Sequence, residues 1–85
     1  MNLFFIERYI DKIKKEDIYN YAIKEGINLS NQELDTLYTY LKTYYKTFLR
    51  NKDTRLNILN ELKSKVSIPV SKKIDELYYL YKDKI

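Results

Sequence analysis

Ser30-Asn31-Gln32-Glu33-Leu34-Asp35-Thr36-Leu37-Tyr38-Thr39-Tyr40-Leu41-Lys42-Thr43-Tyr44-Tyr45-Lys46-Thr47-Phe48-Leu49-Arg50 is the stretch around which this 85-residue chain is organised. Leu34, Leu37, Tyr38, Leu41, Tyr44, Tyr45, Phe48 and Leu49 follow an i, i+3, i+4, i+7 series, the mark of an amphipathic helix. The series opens on a capping box. Ser30 is placed to accept from the Glu33 N–H, and the Glu33 carboxylate to accept from the Ser30 N–H. Leu41 falls at the middle of the apolar face and is expected to lie at the centre of the core.

Shorter helices are expected on either side. Before it, the pattern predicts a helix over about 3–13, capped by Asn2, with Ile6, Tyr9, Ile10 and Ile13 facing inward. Continuing that helix would turn Asp17, Asn20 and Lys24 onto the same face, so a kink or tight turn is expected at Lys14-Lys15. A second helix over about 16–25 carries Glu16 and Asp17 in its first turn, where the helix dipole favours acids. Gly26 follows as the residue that takes positive φ, and Ile27 and Leu29 anchor an extended link. After Arg50, Asp53 is the expected cap of a helix over about 54–65, with Leu56, Leu59, Leu62 and Val66 inward and Ile58 beside them. Pro69 suits the start of a last helix over about 70–83, with Val70, Ile74, Leu77, Tyr78 and Tyr81 on one face. The fold class is therefore all-α: a compact single domain, residues 1–85, of four or five short helices around a long third one.

Composition limits the chemistry. The chain has one Gly and one Pro, which argues against hairpins and glycine-rich phosphate loops. It has no Cys and no His, so disulfides, thiolate metal sites and the commonest general base and zinc ligand are excluded. The adjacent acids Glu16-Asp17 and Asp75-Glu76 point about 100° apart on a helix and form no acid–base dyad. Ser30, Ser67 and Ser71 read as caps. No enzyme, cofactor or metal is expected. The longest apolar run, Leu3-Phe4-Phe5-Ile6, is far too short to span a membrane. It also lacks the features of a signal peptide, so a cytoplasmic location is expected.

Two features invite a partner. The net charge of +4 has a location: residues 36–52 hold Lys42, Lys46, Arg50 and Lys52 and no acid, and the remaining twelve bases balance the twelve acids. Lys42, Lys46 and Arg50 stand at i, i+4, i+8 on one face, with Tyr40 nearby, a pattern that suits phosphates and an unpaired base. The plainer reading of the same residues is a solvated helix face. A helix-turn-helix reading around Gly26 is disfavoured, because the first turns of the would-be recognition helix carry Glu33 and Asp35. The second feature is apolar. Leu3, Phe4 and Phe5 crowd one helix start, and Tyr79 and Leu80 lie off the main face of the last helix; either they form one exposed patch for a homodimer or an unidentified protein partner, or a thin five-helix core encloses them from two sides. The leading expectation is a non-catalytic protein–protein interaction module. The alternative is a weak, non-sequence-specific nucleic-acid binder using Tyr40, Lys42, Lys46, Arg50 and Lys52.

Tyr21-Ala22, then Gly26-Ile27-Asn28-Leu29-Ser30, then a long helix ending in Arg50, resembles a family of small uncharacterised proteins of Gram-positive bacteria, the YqfT-like proteins, known as a domain of unknown function. The resemblance implies a small helical fold in a bacterial cytoplasm and carries over no activity or site.

Overall fold

The computed structural model describes residues 3–84, and the expected Asn2 cap lies outside them. Five α-helices follow in order: α1 (Leu3–Lys12), α2 (Lys15–Lys24), α3 (Asn31–Arg50), α4 (Lys52–Lys63) and α5 (Ile68–Tyr81), with a 3₁₀ turn at Lys82–Lys84. The described residues contain no strand.

Local chemistry sets each boundary. The break between α1 and α2 is a tight turn. Lys14 has no acceptor on its side chain, so only half of a capping box forms, with its N–H donating to Asp17 Oδ2 at 2.9 Å. α2 ends in a Schellman motif. Gly26 takes φ +73°, its N–H donates to the Ile23 carbonyl at 3.0 Å, and the Ile27 N–H donates to the Ala22 carbonyl at 2.8 Å. The Ser30–Glu33 capping box forms as expected, at 3.0 and 3.2 Å. Glu33 reaches further: its second oxygen accepts the Ser67 N–H at 2.8 Å, tying the start of α5 to the start of α3.

The cap of α4 is Asn51, not Asp53. The Asn51 carbonyl oxygen of the side chain accepts from the Asp53 and Thr54 N–H groups at 3.0 and 3.4 Å. Asn51 is thus the single residue between α3 and α4, and α4 begins two residues earlier than expected. So short a joint folds α3 and α4 into an antiparallel hairpin, and Tyr40 on α3 reaches Glu61 on α4 at 2.5 Å.

Two inner faces differ from a pure reading of apolarity. On α1, Glu7 is buried and Tyr9 is turned outward, 68% exposed. On α4, Arg55 is buried and Leu56 is more than half exposed. In each helix a charged residue takes an inward position of the i, i+3, i+4, i+7 stripe, giving Leu3-Ile6-Glu7-Ile10 and Arg55-Ile58-Leu59-Leu62. The expected hydrophobic edge is thereby rotated to the surface.

α3 packs against α1, α2 and α4. α5 is different. Among the other α-helices its backbone approaches only α4; it meets α3 where the Ser67 N–H, at its N-cap, donates to the Glu33 carboxylate and, near the other end, where Phe48 meets Tyr78 with ring centres 6.3 Å apart. The buried apolar residues are Ala22, Tyr45, Leu49, Leu59 and Val70, and no described side chain is wholly sealed from solvent. Leu41, the expected centre, is only half-buried; the centre lies one to two turns further along α3, at Tyr45 and Leu49.

Candidate interaction surfaces

The basic face of α3 is where α1 docks. Lys42, Lys46 and Arg50 recur every four residues, and so do Glu7 and Asp11 on antiparallel α1. Arg50 forms a two-pronged pair with Glu7, Nε to Oε1 at 2.7 Å and Nη2 to Oε2 at 2.8 Å. This guanidinium, with Lys46 adding a weaker pull, holds the Glu7 carboxyl below its ordinary range, and Glu7 raises Arg50 in turn. Lys42 is half-buried. Its Nζ donates to the carbonyls of Ile10 and Asp11 at 2.8 and 2.7 Å, a cation closing the C-terminal end of α1. Tyr45 donates to the Asp11 carboxylate, which, with burial, pushes the phenol up to about 12.

Tyr40, the aromatic member of the expected nucleic-acid set, donates to Glu61 and is likewise pushed up to about 12, first by that hydrogen bond and then by burial. A phenol that donates to an exposed carboxylate brings negative charge to the place where a phosphate would sit. Lys46 lies 5.7 Å from the Tyr45 ring centre and Lys52 is exposed. These two are the members of the basic set with no hydrogen bond to another described residue.

The apolar set divides as well. Phe4 and Phe5 are largely exposed, and so are Tyr79 and Leu80, but the α1 and α5 backbones do not approach each other among the described residues. On α1, Phe4, Phe5, Arg8, Tyr9 and Lys12 share the outer face, and Arg8 lies 5.6 Å from the Phe4 ring centre.

An apolar cleft was not anticipated. Because α5 stands away from α3, an open cleft of about 400 Å³ lies between α2, α3, α4 and α5. Leu37, Leu41, Ile58, Leu62, Ile74 and Leu77 are among its walls, which are carbon almost throughout. Tyr21, Tyr44 and Tyr81 line it and are also substantially exposed, so they form its mouth. Beside Tyr21 stands Lys73, which also lines the cleft and bridges Glu25 at 3.1 Å and Glu76 at 3.2 Å. Burial, then the charge of Glu25, raises the Tyr21 phenol. The mouth is therefore ringed by phenols and by two acids around one base.

Arg55 was also missed. Its Nε donates to the Phe48 carbonyl at 2.7 Å and its Nη2 to the Leu49 carbonyl at 3.0 Å, while the guanidinium lies 5.3 Å from the Phe48 ring centre. It closes the end of α3 as Lys42 closes the end of α1. The signal in the sequence was spacing: Arg55 stands at i, i+3, i+4, i+7 with Ile58, Leu59 and Leu62.

No group of three or more potential metal-ligating side chains gathers among the described residues, and no described helix is long and apolar enough to cross a membrane. No family model matches the chain, and neither a curated protein nor a solved structure matches it.

Proposed function

We propose that this chain is a small, non-catalytic helical interaction module of the cytoplasm, which receives apolar side chains of a protein partner in the cleft between α3 and α5. The observation that carries the reading is the cleft itself. A volume of about 400 Å³ lies within the roughly 300–1,000 Å³ range of functional pockets. Its exposed walls are almost wholly carbon, which suits apolar side chains, and its tyrosine mouth offers area at low entropic cost, as protein-binding surfaces do. Seating three aliphatic or aromatic side chains would recover about 5–9 kcal/mol before the costs of association, enough for a modest, reversible complex. The likeness to the YqfT-like proteins is consistent with this setting and adds no partner.

The test is binding of anilinonaphthalene sulfonate at low micromolar protein. One dye per folded chain is expected, with a cooperative thermal transition that separates a built cleft from a molten state. Tyr44→Glu, a change at a partly exposed mouth position, is expected to weaken the dye about tenfold or more while leaving helicity intact. A folded chain that binds no dye, or a dye indifferent to Tyr44→Glu, would overturn the reading.

A further inference from the structure

Resting on the reading of the cleft as a docking site, we infer that its occupant is a second copy of this chain, which inserts Phe5 and Tyr9 from the outer face of α1 while receiving the same residues in return.

Three observations converge. The first is area. The chain exposes 6137 Å², whereas a folded monomer of 10.4 kDa exposes roughly 5,400 Å². Its radius of gyration, 12.3 Å, is close to the roughly 12 Å of a compact chain of this length, so the excess is no extended arm. Outward-turned aromatic side chains, Phe5 and Tyr9 among them, contribute to it. An excess of roughly 700 Å² is close to the roughly 800 Å² that each partner buries in an interface of standard size.

The second observation is that the chain carries a matching insert. Phe5 and Tyr9 are 67% and 68% exposed, and they stand one helical turn apart, about 6 Å along the axis. They are held on a helix whose other face is fixed to α3 by the Glu7–Arg50 fork, the Lys42 cap and the Tyr45–Asp11 hydrogen bond. The insert is thus pre-organised and loses little freedom on docking.

The third is charge. The outer face of α1 carries Arg8 and Lys12 beside the two rings, while the acids of α1, Glu7 and Asp11, are turned to α3. The cleft mouth carries Glu25 and Glu76 around Lys73, and Glu61 beside Tyr40. A basic aromatic face meets an acidic apolar mouth. A twofold axis that carries α1 of each copy into the cleft of the other closes the contact as a dimer, whereas one-way seating would propagate as a filament.

Sedimentation of the intact chain over about 5–500 µM tests this, with dye binding measured on the same samples. A monomer–dimer equilibrium is expected, with dye binding per chain falling as the dimer fills the cleft. Phe5→Glu changes a largely exposed side chain and should leave helicity unchanged. It is expected to weaken self-association by at least about 30-fold and to restore dye binding at high concentration. A chain with Arg8→Glu and Lys12→Glu, and another with Glu25→Lys and Glu76→Lys, should each remain monomeric alone and pair when mixed. A wild-type chain that stays monomeric throughout overturns the inference. If it binds one dye per chain, the cleft still stands as a site for another protein; if it binds none, both readings fall. A dimer that survives Phe5→Glu, or charge-reversed chains that do not pair, also overturns the inference.

Discussion

At the scale of single residues, the chain is held by charges that lie inside it. Glu7 is 8% exposed and Arg55 is 5% exposed, and neither has a sealed polar side-chain atom without a hydrogen bond. The Glu7 pair sets a pH dependence. Because Arg50 holds the Glu7 carboxyl below its ordinary value of 4.5, its contribution is present above that value and is lost as pH falls through the lowered one. Glu33 behaves alike, lowered mainly by the Ser67 N–H. Glu7→Gln should therefore melt below the wild-type chain at neutral pH, and the gap should close as pH falls below about 4. A gap that stays constant from neutral pH to about pH 3 would show that the pair has no such role. These inward charges are also what sequence reading missed. Apolarity alone puts Tyr9 and Leu56 inside; the structure puts Glu7 and Arg55 there because each finds a partner on α3. The pairing was visible only as a match of spacing, acids four apart on α1 against bases four apart on α3.

At the scale of elements, the long helix, its Ser30–Glu33 cap and the glycine C-cap of α2 were legible because each rests on contacts within a few residues. The Asn51 cap was misplaced by two residues, because Asn51 and Asp53 are both good caps and only the short α3–α4 joint selects between them. Two helix ends are closed by a cation from another helix, which no local pattern reveals. Arg55→Met strands the Phe48 and Leu49 carbonyls at the end of α3. It should cost about 2–4 kcal/mol and lower Tm by at least about 10 °C. A melt within a few degrees of wild type would show that water replaces the guanidinium. The same logic changes the outlook for nucleic acid. With Lys42 and Arg50 engaged by α1, Lys46 and Lys52 remain, and two phosphate contacts give a salt slope of roughly −1.8. Anisotropy of a labelled oligonucleotide should therefore show only weak binding at 50 mM salt, falling about tenfold by 200 mM. A fall of about a hundredfold would mean that four cations are engaged and would favour the nucleic-acid reading.

At the scale of the whole molecule, the all-helical class followed from periodicity and the scarcity of Gly and Pro, but the cleft did not. Periodicity names the residues that face inward; it does not say that the inward faces meet. Here α5 is fastened at its ends to α3 and along its flank to α4, where Lys63 bridges Asp75 at 2.6 Å, and the space between α3 and α5 stays open. The central claim is that this space is a built binding site. Methyl NMR of the Phe5→Glu chain, titrated with anilinonaphthalene sulfonate, tests it most directly, because that variant leaves the cleft free of a second copy. Shifts confined to the methyls that line the cleft, among them Leu37, Leu41, Ile58, Leu62, Ile74 and Leu77, with the outward Leu56 and Ile68 unmoved, are the predicted result. Shifts spread over Leu56 and Ile68, or none at the cleft, would contradict it.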